Sequence, residues 1–346
     1  MMTRAGLGLI WLLHWLPLSL LAPLGRTAGL LLYALAAERR RVVLTNLRLC
    51  FPELREQQRV QLARNHFAVF TRSLLEHGIL WWGSRERVLR MVRIEGLEHW
   101  RAVRDRPVIW LSPHFVGLDM GGIRLTAEFP LVSVYSKQKN PVFDAVLLHG
   151  RTRLGPTELY SRQDGIRPVA KAIKSGLPFY YLPDMDFGLR ESVFVPFFGM
   201  PAATLTAPAR LTMATNGQVI PVVTRFLPNY EGWQVIFYPP WDDYPGTDIE
   251  AATARMNAFI EARVLEAPSE YFWSHKRFKT RPEGMAGVTP MILSFFSASS
   301  TMLYPKTSWY LGGSGDLGTI LTISPVSLLN TPGACHLVGL PSSENL

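Results

Sequence analysis

The sequence predicts an α/β fold: a mixed sheet flanked by helices, carried on an N-terminal membrane helix. Three observations point there. From Val92 onward, short apolar or alternating segments take turns with segments of helical periodicity, the pattern of a sheet sandwiched by helices. Leu7 to Gly25 is uncharged, rich in Leu and Trp, and about as long as a bilayer-spanning helix requires. The apolar run Pro107 to Leu111 reads as a buried strand that stops at Ser112-Pro113. The next residue, His114, therefore sits at a strand's carboxyl end, where open α/β sheets place their ligands.

The 346 residues are enough for one large domain or two small ones. Thirty-six basic residues against 27 acidic ones leave a formal charge of +9, which implies an anionic partner. No zinc-finger spacing or RNP-like aromatic motif supports nucleic acid as that partner. The two cysteines, Cys50 and Cys335, form no CxxC pair, so the sequence implies a reducing compartment without a disulfide framework.

Taken in order, the chain opens with the apolar run, and a second one, Thr27 to Ala37, follows Arg26. Pro17 and Pro23 would kink such a helix, and a buried core helix is the other reading. The run is long for a signal peptide, and only Arg4 precedes it. Glu38-Arg-Arg-Arg41 with Arg48 follows directly, which places the bulk of the chain in the cytoplasm and attracts anionic headgroups. Phe51-Pro52-Glu53 is read as a helix start, with Val60, Ala63, Phe67, Phe70 and Leu74 as its apolar stripe. Val92 to Gly96 alternates like a strand and Leu97 to Arg104 reads as a helix.

After the Pro107–Leu111 strand, Gly117 to Leu125 reads as a helix. Asp119 follows His114 by five residues, and of the eight histidines only His114 has an acid at that offset. Five residues span roughly 140° on one continuous helix. The pair can converge only through a turn, which Pro113 and Gly117 supply. An imidazole oriented by a carboxylate is a general base; a structural, hydrogen-bonded histidine is the alternative. Leu131 to Tyr135 is a strand, Ser136-Lys137-Gln138-Lys139 a basic turn, and Val142 to Arg151 a helix closed by Arg151 and Arg153. Basic groups there suit a phosphate or an acidic protein surface, or form a solvated face. Arg167 to Ser175 is helical and Leu177 to Leu182 a strand. It ends at Asp184-Met-Asp186, which is either a metal-binding Asp-x-Asp of the glycosyltransferase kind or a carboxylate turn that accepts backbone amides. Val193 to Phe198 is apolar and Gly199-Met-Pro201 turns. Thr206 to Asn216 and Ala251 to Glu266 are helices; Val219 to Arg225 and Trp233 to Tyr238 are strands.

In this order the motifs resemble the lipid A late acyltransferases of Gram-negative bacteria, within the lysophospholipid acyltransferase superfamily. The carriers are Asn46-Leu-Arg-Leu-Cys-Phe-Pro-Glu53, His114-x4-Asp119, Asn140-Pro141 with Arg151-x-Arg153, Pro183-Asp-Met-Asp-Phe-Gly188, Ser192-Val-Phe-Val-Pro-Phe-Phe198 with Ala202-Ala-Thr204, and Arg277-Phe-Lys-Thr-Arg-Pro-Glu-Gly284. They resemble the lauroyl-type members that acylate a Kdo-bearing lipid A precursor. The resemblance implies a glycerolipid acyltransferase-like sandwich at the bacterial inner membrane, facing the cytoplasm. It implies acyl carrier protein as the thioester donor, a lipid A precursor as acceptor, no further cofactor and no metal. His114 becomes the general base and Asp119 its orienting partner. Arg151, Arg153 and Lys137 are expected at substrate phosphates or the donor's phosphopantetheine arm, and Asp184 and Asp186 in a structural or substrate-positioning role. A glycerophospholipid acyltransferase, a metal-dependent membrane glycosyltransferase and a lipid-binding protein without activity are the alternatives.

The chain thus divides into an anchor (1–37), an acyltransferase domain (38–284) and a tail (285–346). The tail is poor in charge and outside the family pattern, expected to be disordered and of frameshift or read-through origin. Its Gly313-Ser-Gly-Asp-Leu-Gly318 fits GxGxxG, but too little chain follows for a βαβ unit.

Overall fold

A computed structural model describes residues 2–285 and residue 287; the remainder of the tail lies outside the described residues. In chain order the elements are α1 (Met2–Leu13), α2 (Leu18–Leu35), α3 (Ala37–Cys50), α4 (Glu56–Trp82), α5 (Arg85–Met91), β1 (Val92–Glu95), α6 (Leu97–Arg101), β2 (Val108–Leu111), α7 (Leu118–Thr126), β3 (Leu131–Tyr135), α8 (Pro141–Thr152), β4 (Thr157–Ser161), α9 (Arg167–Lys174), β5 (Phe179–Tyr181), β6 (Ser192–Phe197), β7 (Met200–Leu205), α10 (Ala207–Thr215), β8 (Gln218–Phe226), β9 (Trp233–Phe237) and α11 (Ile249–Glu266).

Seven strands form one sheet in the order β1-β9-β8-β2-β5-β3-β4. Only the β8–β9 pair is antiparallel, so the sheet is mixed, as expected. β2 occupies the middle. All four of its residues are buried because helices cover both faces. Alternation along the strand sends Ile109 and Leu111 into one core, with Phe179, Val219 and Met256, and Val108 and Trp110 into the other, with Met120, Ile123 and Trp233. β6 and β7 form a separate antiparallel hairpin.

Some elements depart from the sequence reading. The apolar N-terminal run is not one helix: it breaks at His14–Pro17 into α1 and α2. Pro17 has φ −65° and ψ 154° and stands at the N-cap of α2, because a proline constrains the residue before it and donates no N–H. The helix read from Phe51 starts at Glu56 instead; residues 51–54 turn, with the Leu54 amide donating to the Phe51 carbonyl. β4 and β7 were not anticipated. β7 completes a tight hairpin whose turn residues, Phe198 and Gly199, both have positive φ (51° and 71°), as the right-handed strand twist demands.

Candidate active site

The register of the sheet builds the site. β2 and β5 lie side by side and parallel, with Leu111 opposite Tyr181. Each strand continues for three residues through a proline, Ser112-Pro113-His114 on one and Leu182-Pro183-Asp184 on the other. The two loops leave the same edge of the sheet in step, so His114 and Asp184 meet. His114 donates its backbone N–H to both Asp184 carboxylate oxygens, at 3.0 and 3.1 Å. Its ring Nδ1 lies 2.7 Å from Asp184 Oδ1. Asp184 is fully buried. Burial alone would raise its carboxyl, but the charge and hydrogen bonds of His114, helped by Arg277, more than offset this and hold it below the usual carboxylate range. The carboxylate is therefore the acceptor and Nδ1 carries the hydrogen; in the neutral ring this leaves the lone pair on Nε2. Among the described residues, no hydrogen bond engages Nε2, and the ring is 14% exposed.

The segment after α11 closes the back of this pair. Phe115 bridges Tyr271, and the Phe272 amide donates to the His114 carbonyl at 2.9 Å. Burial, and then the Asp184 carboxylate beside it, push the Tyr271 phenol well above its ordinary value, so it stays protonated. Asn46 ties the segment to α3 through the Trp273 and His275 carbonyls, at 2.8 and 2.7 Å. Arg277 is buried and donates to the Ala203 carbonyl and Thr204 Oγ1, fixing β7 behind the site.

Asp119 does not pair with His114, contrary to the expectation drawn from their spacing. The turn at Gly117 starts α7, and Asp119 in its first turn faces α4 and α8. There it accepts from Arg151 Nε at 3.0 Å and Nη2 at 3.2 Å, and lies 3.4 Å from His77 Nε2. Burial would raise this carboxyl; Arg151 and His77 outweigh it and hold Asp119 well below the usual range. Arg151 is thereby committed to Asp119. Arg153 is committed too. It donates to the Leu80 and Gly83 carbonyls at 2.6 Å each, capping the C-terminus of α4 where a cation is favoured. Both arginines were expected at substrate; the local spacing placed Arg151 on α8 and Arg153 at its end but could not show that α7 and α4 claim their donors.

Lys137 is exposed in the loop after β3, at the same carboxyl edge as His114. Asp186 accepts from the Gly188 amide at 2.9 Å, the Thr280 amide at 2.6 Å and Thr280 Oγ1 at 2.7 Å, while its own amide donates to His275 Nε2 at 2.9 Å. These N–H and O–H donors make a carboxylate turn, not a cation shell. Tyr271 and His275 are the site residues that sequence reasoning did not single out; His77 was not assigned to the site, and Arg277 entered only as part of a family motif. A repeated Pro-His and Pro-Asp after two apolar strands was the available signal for the Asp184 pairing.

An imidazole with its Nδ1 hydrogen held by a buried carboxylate and Nε2 open, at the carboxyl edge of an α/β sheet, has the chemistry to act as a general base in an enzyme. Among the described residues, no serine or cysteine is hydrogen-bonded to Nε2. The chain belongs to the bacterial lipid A biosynthesis acyltransferases, whose family model matches residues 1–280. It is 36% identical over 287 residues to the lipid A biosynthesis lauroyltransferase of Escherichia coli (strain K12), covering 82% of this chain and 93% of that one. It is 34% identical over 272 residues to the myristoyltransferase of the same organism, covering 77% and 81%. It is 30% identical over 286 residues to the palmitoleoyltransferase, covering 82% and 92%.

Proposed function

We propose that this enzyme moves a fatty acyl chain from acyl carrier protein to a hydroxyl of a lipid A precursor, with His114 as general base. A thioester is already an activated acyl donor, so no enzyme nucleophile is needed. His114 Nε2 takes the proton of the acceptor hydroxyl as its oxygen attacks the thioester carbonyl. The imidazolium that forms is stabilised by Asp184, which stays ionised. When the tetrahedral intermediate collapses, the carbon–sulfur bond breaks and the imidazolium returns the proton to the departing thiolate. No cofactor or metal enters this scheme. The observation that carries the reading is the His114–Asp184 contact with Nε2 left open.

The carboxyl edge around Lys137 is where the anionic groups of either substrate would arrive, and the charge of +9 suits two acidic partners. The apolar N-terminal helices and the basic residues after them favour the bacterial inner membrane, with the sheet domain on the cytoplasmic side. His114→Ala should lower transfer by roughly the 10²–10⁴-fold typical of losing a general base, with membrane association retained. The assay is mass spectrometry of the lipid A product after incubation with acyl carrier protein thioester. Near-normal transfer by the variant would remove His114 from the chemistry.

A further inference from the structure

α2 is the one described helix long and apolar enough to cross a bilayer, by length and composition. Its contacts argue against that orientation. Leu21, Ala22, Gly25 and Gly29 bury one face of α2 along α4, and a Cβ at Gly25 or Gly29 would collide with the α4 backbone at Arg72 or at Phe67 and Ala68. α4 is itself fastened to the sheet domain. Ser73 Oγ donates to the Val116 carbonyl at 2.7 Å, and Trp233 Nε1 donates to Glu76 at 2.6 Å. The start of α1 and the α1–α2 turn are tied down as well. Asn140, at the start of α8, donates to Thr3 Oγ1 at 2.7 Å, and Arg87 of α5 donates to the His14 and Leu16 carbonyls in the α1–α2 turn. A spanning α2 would carry that turn, and α5 with it, across the membrane.

The middle of α2 makes the same point. Arg26, the single charge in the helix, lines a groove of about 550 Å³ beside Arg72, Asn229, Tyr230 and Glu270 of the sheet domain. In a spanning helix this residue would sit at the bilayer centre, where charge is costly. The opposite side of α2 carries Leu20, Leu24, Leu31 and Leu35, which at 100° per residue fall within about 60° of arc. With Trp11 on α1 and Trp15 in the turn that follows it, they are 43 to 74% exposed. Exposed Arg4 and Arg41 precede and follow this stripe in the chain, and cations beside an apolar segment match anionic headgroups.

We infer that α1 and α2 lie along one leaflet of an anionic bilayer, with this stripe in the acyl chains. The inference rests on the membrane association proposed above. It is independent of the chemistry, and the test is read on the resting enzyme, so its failure would leave the acyl-transfer reading untouched. The full chain, with Cys335→Ser, is labelled with a nitroxide at Leu20→Cys, Leu24→Cys, Leu31→Cys or Leu35→Cys. Cys50 is buried and its thiol is pushed up by burial, so it does not compete. These positions face away from the protein, so the labels leave the packing intact. In vesicles of phosphatidylethanolamine and phosphatidylglycerol, oxygen and nickel-chelate accessibilities give each label's depth. The expected result is four depths within about 5 Å of each other, all in one leaflet's acyl region. A spanning helix would separate positions 20 and 35 by about 22 Å along the normal. A monotonic gradient of that size overturns the inference, and so does full water exposure of all four labels.

Discussion

Replacing Asp184 by asparagine keeps the shape of the side chain and removes its charge. The amide oxygen can still accept from both the His114 amide and Nδ1, because one carboxylate oxygen, Oδ1, serves both donors, at 3.0 and 2.7 Å. The Nδ1–H tautomer is therefore retained, and what is lost is the attraction between carboxylate and imidazolium in the transition state. With charge centres about 4 Å apart and an effective dielectric constant of about 20, that attraction is about 4 kcal/mol, or roughly 10³ in kcat. KM for both substrates should change little, since Asp184 is buried behind the ring. Asp119→Asn is the control, and it separates the contact seen in the structure from the one the spacing implied. It leaves Arg151 and His77 facing a neutral side chain, and breaking a buried ion pair costs about 3–5 kcal/mol of stability. Its thermal midpoint should fall while kcat per folded molecule stays within about tenfold, an allowance well short of the charge-removal effect. The assay is steady-state transfer with both substrates saturating, normalised to folded protein by thermal unfolding in detergent. A folded Asp119→Asn enzyme with the 10³-fold loss, beside a nearly normal Asp184→Asn, would refute the assignment.

Arg153→Ala removes the cap of α4 and should cost about 2 kcal/mol of stability without raising KM for either substrate; a raised KM at unchanged stability would return Arg153 to the substrate site. Glu270 is pushed up to about 7 by burial, against the pull of Arg225. The folded protein thus keeps a proton that the unfolded chain releases above 4.5, so this group lowers stability as pH rises from 4.5 towards 7, with no further change above. Glu270→Gln should therefore raise stability at pH 8 by up to about 3 kcal/mol, read as a higher thermal midpoint, and leave the midpoint nearly unchanged at pH 4, where both forms are neutral. Equal shifts at the two pH values would show that packing, not ionisation, is responsible.

Most of the sheet was legible because its strands are buried on both faces and read as apolar runs between turn residues. β2, with every residue buried, is the clearest case. β4 was not legible: at the sheet edge, Thr157–Ser161 has no buried residue and so no hydrophobic signal. β7 was hidden by Pro201 and by a hairpin turn of Phe198-Gly199 in place of an Asn-Gly or Asp-Gly pair. The N-terminal run was legible as apolar but not as two helices, since its length matched a bilayer span and only the contacts to α4 and α5 fix where it turns.

His114 was legible by its place after a strand; its partner was not. Spacing along the chain reports local geometry, and Asp119 is local, but a turn that starts a helix also rotates the first-turn residues away from the loop that precedes it. The true neighbour of a residue at a strand's end is set by the adjacent strand, which here lies 70 residues later. Strand pairing puts equivalent positions side by side, so Leu111 opposite Tyr181 makes His114 opposite Asp184 a consequence of register. This also accounts for the conflicting duties of the acids. Asp184 meets the open imidazole at the sheet edge. Asp119, two turns of chain away, uses the same kind of carboxylate to join α4, α7 and α8 beneath it. A loss of activity on mutating Asp119 therefore has to be divided by the fraction of protein still folded before it says anything about the proton.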